Sequence, residues 1–276
     1  MKGVFLMLAV VASFFIACDK DKDIEDSLEG SIVGSWIIAE IDGKPVLTND
    51  KVVFNFVSAT KAYMSAAKKA PQGYEGYLWN NRLEQEVIID GNKILLIYHD
   101  TLKIKLSDSE KSIPYTSESE ISVTSFNSNE LKANIISRLI INDQTFTTEY
   151  SERLIRVNAD YRESIIGMWE GRCTSVGGSA YDDGKTHRWE YKPDGTYCYY
   201  YNDEGEWKLS VALHSKYFVA GQLLCTGWQN EGDESHIENW EIVSIQDDVM
   251  KWKALRKDED GGNYEVTFEM SKVPEE

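Results

Sequence analysis

Aromatic side chains are concentrated in the second half of the sequence, at spacings suited to lining a ligand site. Six of the eight tryptophans lie between residues 169 and 252. Because side chains alternate between the two faces of a strand, Tyr197, Tyr199 and Tyr201 share one face and Tyr200 takes the other. Such rings line pockets for apolar or sugar-like ligands, and they equally form ordinary hydrophobic cores. As candidate ligand-binding residues we take Trp189, Tyr191, Tyr197, Tyr199, Trp207 and Trp228.

Patterns that would indicate catalysis are weak by comparison. Gly184-Lys185-Thr186 imitates the end of a phosphate-binding loop, but Ser179 stands where the leading glycine belongs. The four histidines are scattered without metal-ligand spacing, and the carboxylates are too numerous for one pair to stand out. We therefore expect no enzyme activity, no catalytic residue, no cofactor and no metal site.

A cysteine near the amino terminus stands where a lipid can be attached. Lys2 precedes an apolar run over residues 4–16, which Ala17-Cys18 ends, and this order is typical of an export signal. As a helix the run rises only about 20 Å, whereas the hydrocarbon core of a bilayer is about 30 Å thick. Residues 15–18 (FIAC) resemble the site that lipoprotein signal peptidase cuts, and the resemblance implies a diacylglyceryl group on Cys18. The alternative is an ordinary signal peptide with a chance cysteine.

The segment after Cys18 is dominated by charge. Residues 19–29 are mostly charged and include almost no apolar side chains, so the segment cannot bury a core and is typical of a solvated tether. It resembles the acidic export tag of surface lipoproteins in certain Gram-negative gut anaerobes. The alternative is a spacer that faces the periplasm. We expect a lipid-anchored protein of the outer membrane, exposed at the cell surface.

Composition and charge narrow the class of partner. The chain has 276 residues, of which 42% are hydrophobic, and this is a globular composition. A formal net charge of −17 repels phosphate backbones, so nucleic acid is not an expected partner.

Cys173, Cys198 and Cys225 form no recognised disulfide or zinc pattern. They form either one bridge with a spare thiol or, as we favour, three free thiols that behave as small hydrophobes.

An internal repeat organises the chain after the tether. Residues 31–36 (SIVGSW) recur as residues 164–169 (SIIGMW), and residues 121–126 (ISVTSF) parallel residues 240–245 (WEIVSI). Short alternating segments and tight turns such as Asp194-Gly195 indicate seven or eight antiparallel strands in each copy. The predicted fold is all-β, with two tandem antiparallel barrels lying close together. The predicted bounds are 1–17 for the signal peptide, 18–30 for the lipid-bearing cysteine and tether, 31–157 for domain 1, 158–163 for the linker and 164–276 for domain 2.

The repeated motifs resemble those of a known family. Gly34-x-Trp36 and Gly167-x-Trp169 open their repeats as Gly-x-Trp opens the first strand of a lipocalin. With the turn at 194–197 and Gly-x-Trp at 205–207, the pattern is similar to tandem lipocalin-like, calycin-type domains of bacterial surface lipoproteins, over most of residues 31–273.

The resemblance implies how each barrel is closed. In lipocalins the tryptophan of the motif closes one end of the barrel, and a basic residue of the last strand packs over its indole. Arg153 or Arg156 takes this role in the first copy, and Lys272 in the second. The implied closure residues are Gly34, Trp36, Arg153, Gly167 and Trp169.

Two functions fit these expectations. The first is a lipid-anchored envelope protein that binds a small apolar or glycan-type ligand in a barrel. The alternative is a structural or interaction lipoprotein with side-chain-filled barrels, which binds another envelope protein.

We predict that Cys18→Ser abolishes lipidation and releases the exported protein from membranes. Each buried methylene of a lipid chain contributes about 0.8 kcal/mol to anchoring, and the serine variant has no chain. Intact mass spectrometry and fractionation of the exporting cells measure the outcome, with Cys198→Ser as the matched control. A serine variant that still carried lipid mass would refute the assignment.

Overall fold

A computed structural model describes Leu28 and residues 30–69, 77–106, 109–182, 184–210, 213–229 and 235–274. Cys18, the signal segment and all but the end of the predicted tether lie outside these residues. No helix within the described ranges is long and apolar enough to cross a membrane. The prediction of an all-β chain with two antiparallel barrels is confirmed by the sheets below.

The first sheet closes on itself to form barrel one. Eight of its strands make the wall, and the short β2 pairs only with β1. Because β9 pairs with β1 as well as with β8, the barrel has no open edge. The strands are β1 (Gly34–Ile41), β2 (Lys44–Pro45), β3 (Val53–Ser58), β4 (Lys61–Lys69), β5 (Tyr77–Asp90), β6 (Lys93–Leu106), β7 (Ser109–Phe126), β8 (Glu130–Ile141) and β9 (Gln144–Val157). A 3₁₀ helix, Thr48–Asp50, lies between β2 and β3.

The second sheet curls into barrel two but stays open. Its hydrogen-bonded order ends at β14 on one side and at β15 on the other, and an isolated bridge joins Thr196 to Lys216 near the gap. The strands are β10 (Gly167–Val176), β11 (Ser179–Ala180), β12 (His187–Tyr191), β13 (Tyr197–Asp203), β14 (Glu206–Leu209), β15 (Leu213–Ala220), β16 (Leu223–Gln229), β17 (Ser235–Gln246), β18 (Val249–Lys257) and β19 (Asn263–Lys272).

Several strands of barrel one are longer than the short alternating segments predicted from sequence. β7 has 18 residues, and β5, β6 and β9 have 14 each. The polar residues between 109 and 120 lack a hydrophobic pattern, yet they continue the ladder because neighbouring strands satisfy their backbone groups. Backbone pairing therefore extends these hairpins beyond the part that has an apolar face.

The Gly-x-Trp tryptophan of barrel one is held in the same way as its counterpart in barrel two. Trp36 and Trp169 are both fully buried, and their indole N–H groups donate to the carbonyls of Ile32 and Ile165, at 2.7 Å in each case. In each copy a single helical turn before the first strand supplies the accepting carbonyl. The repeat in sequence is therefore also a repeat in hydrogen bonding.

A cation covers each of these indoles, and in barrel one it is Arg156. The guanidinium of Arg156 lies 4.3 Å from the ring of Trp36, because the two residues are partners across β1 and β9. Arg153 does not take this role, since its partner in the ladder is Glu40, with which it forms an ion pair at 2.7 Å. Lys272 lies 5.4 Å from the ring of Trp169.

The two barrels share a hydrophobic contact that is built largely on β16. Leu223 and Cys225 are fully buried, and they pack with Ile37, Val53 and Ala67 of barrel one. The Trp79 ring crosses from β5 to meet Phe218 edge-on at 4.9 Å. Gly227 lies directly against that indole, since a Cβ at this position would come within 3.0 Å of Trp79. Of the three described cysteines Cys173 and Cys225 are buried and Cys198 is half-buried, and no disulfide bond joins any two of them.

Barrel one encloses a buried acid, Glu152 on β9. Its side chain is only 8% exposed, and burial raises its pKa to about 7 while the Lys68 ammonium opposes that shift. Burial in turn lowers the pKa of Lys68 and, together with Glu152, raises the pKa of Tyr150. At neutral pH, keeping the Glu152 carboxylate charged in this buried position therefore lowers the stability of the fold.

We predict that Arg156→Ala destabilises the protein more than Arg153→Ala does. Arg156 donates to the carbonyls of Ser128, Val33 and Ser31 at 2.6, 2.9 and 2.6 Å and covers Trp36. Losing the Arg156 side chain should lower the free energy of unfolding by about 2 kcal/mol, whereas the solvent-screened ion pairs of Arg153 contribute less than about 1 kcal/mol. Urea unfolding of both variants gives the comparison, and equal losses would contradict it.

We predict that Glu152→Gln changes the pH dependence of stability. The carboxyl ionises near pH 4.5 when unfolded and near pH 7 when folded, so the folded state holds the extra proton between these values. The stability of the natural protein relative to the variant should therefore fall by about 3 kcal/mol as pH rises from 4.5 to 7. Urea titrations of both proteins at pH 4.5, 6 and 8 give this difference in stability. A difference that does not change with pH would refute the raised pKa of Glu152.

Candidate functional site

Barrel two contains a cavity of about 860 Å³, which is lined by residues from most of its strands. This size falls within the range of pockets that hold small molecules, about 300 to 1,000 Å³. The lining comprises Asn49, His187, Trp189, Tyr191, Tyr197, Cys198, Tyr199, Leu209, Ser210, Ser215, Thr226, Trp228, Ile237, Glu238, Trp240, Arg256, Tyr264, Val266 and Phe268.

Strand alternation brings the predicted aromatic residues together. On β12, Trp189 and Tyr191 are two residues apart and share a face, as do Tyr197 and Tyr199 on β13. The ladder sets Trp189 opposite Tyr199 and Tyr191 opposite Tyr197. With Trp228 from β16, five of the six candidate ligand-binding residues line this one cavity.

Further aromatic rings pack against this wall. Trp252 is inaccessible to solvent, and it meets Trp189 edge-on and Trp240 face-to-face, each at 5.2 Å between ring centroids. Phe268 packs edge-on against Trp240 at 5.3 Å. These contacts restrict the orientations that the rings of the lining can adopt.

Trp207 lies on the other face of the sheet and does not line the cavity. In the ladder it is opposite Asn202, and the guanidinium of Arg188 stacks on its ring at 4.1 Å. Arg188 also pairs with Glu170 at 2.6 Å, and it alternates with the inward-facing Trp189. The same alternation that puts Trp189 inside therefore puts Trp207 outside, and we remove Trp207 from the candidate site.

An ion pair forms the polar part of the cavity. Arg256 Nη2 lies 3.3 Å from Glu238 Oε1 and 3.0 Å from the carbonyl of Asn239, which accepts its hydrogen bond. The guanidinium also lies 4.7 Å from the Trp240 ring. The Glu238 side chain keeps 42% of its surface accessible against 15% for Arg256, and both line the cavity.

Enclosure in the barrel shifts the acid–base properties of this pair. Burial raises the pKa of Glu238, while Arg256 and a hydrogen bond from Trp240 act in the opposite direction. Burial likewise lowers the pKa of Arg256, which Glu238 partly restores. The pKa values of Tyr197 and Tyr199 are raised by burial and by the nearby Glu238 carboxylate. Charge in this cavity is therefore costly unless it is solvated or paired.

Barrel one contributes a residue to the cavity of barrel two. Asn49, from the 3₁₀ helix after β2, accepts a hydrogen bond from Arg256 Nη1 at 2.9 Å through its side-chain oxygen. The same oxygen accepts the backbone N–H of Asn239 at 2.8 Å, and the Asn239 amide donates to the carbonyl of Ala67 at 2.7 Å. Beside them, Lys51 and Glu241 form an ion pair at 2.5 Å. The two barrels are therefore joined next to the cavity wall.

Sequence reasoning missed several lining residues. Glu238 is two positions before Trp240, so alternation along β17 gave a usable signal for it. His187 likewise precedes Trp189 by two positions, and its Nδ1 lies 2.8 Å from the Tyr199 hydroxyl. Nothing in the sequence pattern signals Asn49, because its place in the cavity depends on how the barrels dock.

Comparisons with known proteins give no functional assignment. No family model matches the sequence, and neither does any curated protein. Two similar solved structures are mutants of the vaccine antigen transferrin binding protein B from Haemophilus parasuis Hp5. The single mutant is 8% identical over 85% of this chain and 62% of its own, with a TM-score of 0.26. The double mutant is 9% identical over 84% and 62%, with a TM-score of 0.25. This chain thus spans less than two thirds of either structure, and likeness at these TM-scores carries no argument about function.

Proposed function

We propose that this protein is a binding protein that takes a small ligand into the cavity of barrel two. The observation that carries the proposal is one cavity of about 860 Å³ whose wall combines Trp189, Tyr199 and Trp228 with a few polar groups. Pockets for small ligands have this composition, with mostly aromatic or apolar walls and a small number of placed polar side chains.

The ligand is apolar or glycan-type in character, because rings dominate the wall.

Barrel one has a different role. Its interior holds a packed core that includes Trp36, Phe56 and Leu96, so it acts as a support that contributes Asn49 to the site. Its filled interior also fits the second candidate function, an interaction lipoprotein, for which the exposed Phe146 on β9 (54% accessible) offers a contact point.

We place the protein at the outer membrane, held by lipid on Cys18 and exposed at the cell surface. The support is the sequence of residues 1–30, an export signal that ends at a cysteine and is followed by a charged tether. The tryptophan ends of the barrels, each with a helical turn and a covering cation, support the lipocalin-like assignment of both domains. A ligand captured at this location comes from outside the cell.

We predict that the protein isolated from its own cells carries a small molecule, and that Trp189→Ala lowers its occupancy about tenfold. Removing one ring from the wall costs roughly one decade of affinity, about 1.4 kcal/mol. Native mass spectrometry of the intact complex, followed by extraction, measures the occupancy.

Trp207→Ala is the matched control, since it removes the same side chain from the neighbouring outer face and should retain the ligand. Urea unfolding of both variants separates loss of binding from loss of folding, and Trp228→Ala repeats the test with a lining residue of β16. Equal occupancy in the Trp189 and Trp207 variants, or an empty natural protein, would favour the interaction lipoprotein instead.

A further inference from the structure

The charged groups in the cavity restrict the chemistry of its ligand. Among the described lining residues, Glu238 and Arg256 carry opposite charges 3.3 Å apart, so together they present little net charge. The Glu238 carboxylate is the accessible member, because 42% of its side-chain surface is open against 15% for Arg256. The ligand therefore meets a paired carboxylate rather than an isolated ion.

Arg256 is fixed by neighbouring protein groups. Its Nη1 donates to Asn49 Oδ1 at 2.9 Å, its Nη2 donates to the carbonyl of Asn239 at 3.0 Å, and its plane covers the Trp240 ring at 4.7 Å. These contacts come from both barrels and leave the guanidinium little freedom to follow a ligand. Arg256 thus acts as a positioning residue for Glu238.

This arrangement disfavours ligands at both extremes of polarity. A wholly apolar ligand would strip water from the Glu238 carboxylate without replacing its hydrogen bonds, and an unsatisfied buried polar group costs several kcal/mol. A charged ligand of either sign would be attracted by one member of the pair and repelled by the other. A neutral group that both donates and accepts hydrogen bonds, such as a hydroxyl, matches the carboxylate and guanidinium at once.

The aromatic part of the lining calls for an apolar ring face. Trp189, Tyr199, Trp228 and Phe268 contribute flat aromatic surfaces, and further hydroxyls come from Thr226, Ser210 and Ser215. A pyranose ring has this dual character, since its C–H groups form an apolar face and its hydroxyls project around the rim. A hydrocarbon ring of equal size has only the first property.

We propose, on the basis of the proposed binding function, that the cavity ligand is a neutral polyhydroxylated ring of the pyranoside class, with hydroxyl groups that bond to Glu238 and a face that stacks on the aromatic wall. Glu238 is the residue that selects it over an apolar ligand of the same shape.

The test uses fluorescent pyranosides and a hydrocarbon probe of matched shape. 4-Methylumbelliferyl glycosides of glucose, galactose, mannose, xylose, fucose and N-acetylglucosamine are titrated into the full mature protein, alongside 7-cyclohexyloxy-4-methylcoumarin. Fluorescence polarisation measures the affinities. We expect at least one glycoside to bind about tenfold or more tightly than the cyclohexyl probe, a difference of the size that one hydrogen bond to a charged group supplies.

Substitutions at Glu238 should reverse this preference. Glu238→Leu should lower the affinity for the glycoside about tenfold or more and raise the affinity for the cyclohexyl probe. Glu238→Gln, which keeps hydrogen-bonding atoms, should lower the affinity for the glycoside less. Trp207→Ala should change neither affinity. Urea unfolding verifies that each variant is folded, and the glutamine variant still tests the role of Glu238 if the leucine variant is not.

The outcomes separate the two proposals. If the cyclohexyl probe binds the natural protein as well as every glycoside does, or if Glu238→Leu leaves glycoside affinity unchanged, the pyranoside proposal is wrong while ligand binding stands. If neither type of probe binds and the natively isolated protein is empty, the binding function itself is wrong.

Discussion

The wall formed by β16 and β17 is buried on both of its faces, and the rest of the architecture depends on that constraint. One face of β16 gives Thr226 and Trp228 to the cavity, and the other gives Leu223 and Cys225 to the contact with barrel one. A strand buried on both faces needs an apolar or small residue at almost every position, and the first five residues of β16 are all buried. Barrel one is thus a second layer over the wall of the cavity.

On β17 the same division is made with polar groups. Glu238 and Trp240 face inward, while Asn239 and Glu241 between and after them face barrel one, where they meet Asn49 and Lys51. Asn239 is fully buried, and hydrogen bonds from its N–H groups to Asn49 and Ala67 hold its main chain and side chain across the interface. Buried hydrogen bonds of this kind fix the register of docking, which apolar contact alone does not.

The two copies of the repeat have diverged in how their walls close. Both retain the tryptophan, the helical turn and the covering cation at one end. Barrel one also closes its sheet and fills its interior, whereas barrel two leaves a gap between β14 and β15 and retains a cavity. A closed, filled copy supports its neighbour, and the open copy has the space that binding requires.

Much of this was encoded locally and could be predicted. The Gly-x-Trp repeat, the alternation of aromatic and polar residues and the turn at Asp194-Gly195 indicated two antiparallel barrels, because strand periodicity follows from the backbone alone. Residues two positions apart on a strand point to the same face, so alternation also groups Trp189 with Tyr191 on β12 and Tyr197 with Tyr199 on β13. The length of β7 could not be predicted in this way, since backbone hydrogen bonds extend it through residues without an apolar pattern.

The sequence alone therefore determined the class of fold, the repeat and the aromatic character of the second copy, because these properties depend on neighbouring residues in the chain. Only the tertiary structure decided that Trp207 faces outward, that Arg156 rather than Arg153 covers Trp36, and that Glu238 and Arg256 form an ion pair inside the cavity. Each of these depends on which strand lies beside which and in what register. The place of Asn49 depends further on the docking of two barrels, which bring residues 207 positions apart into one hydrogen bond.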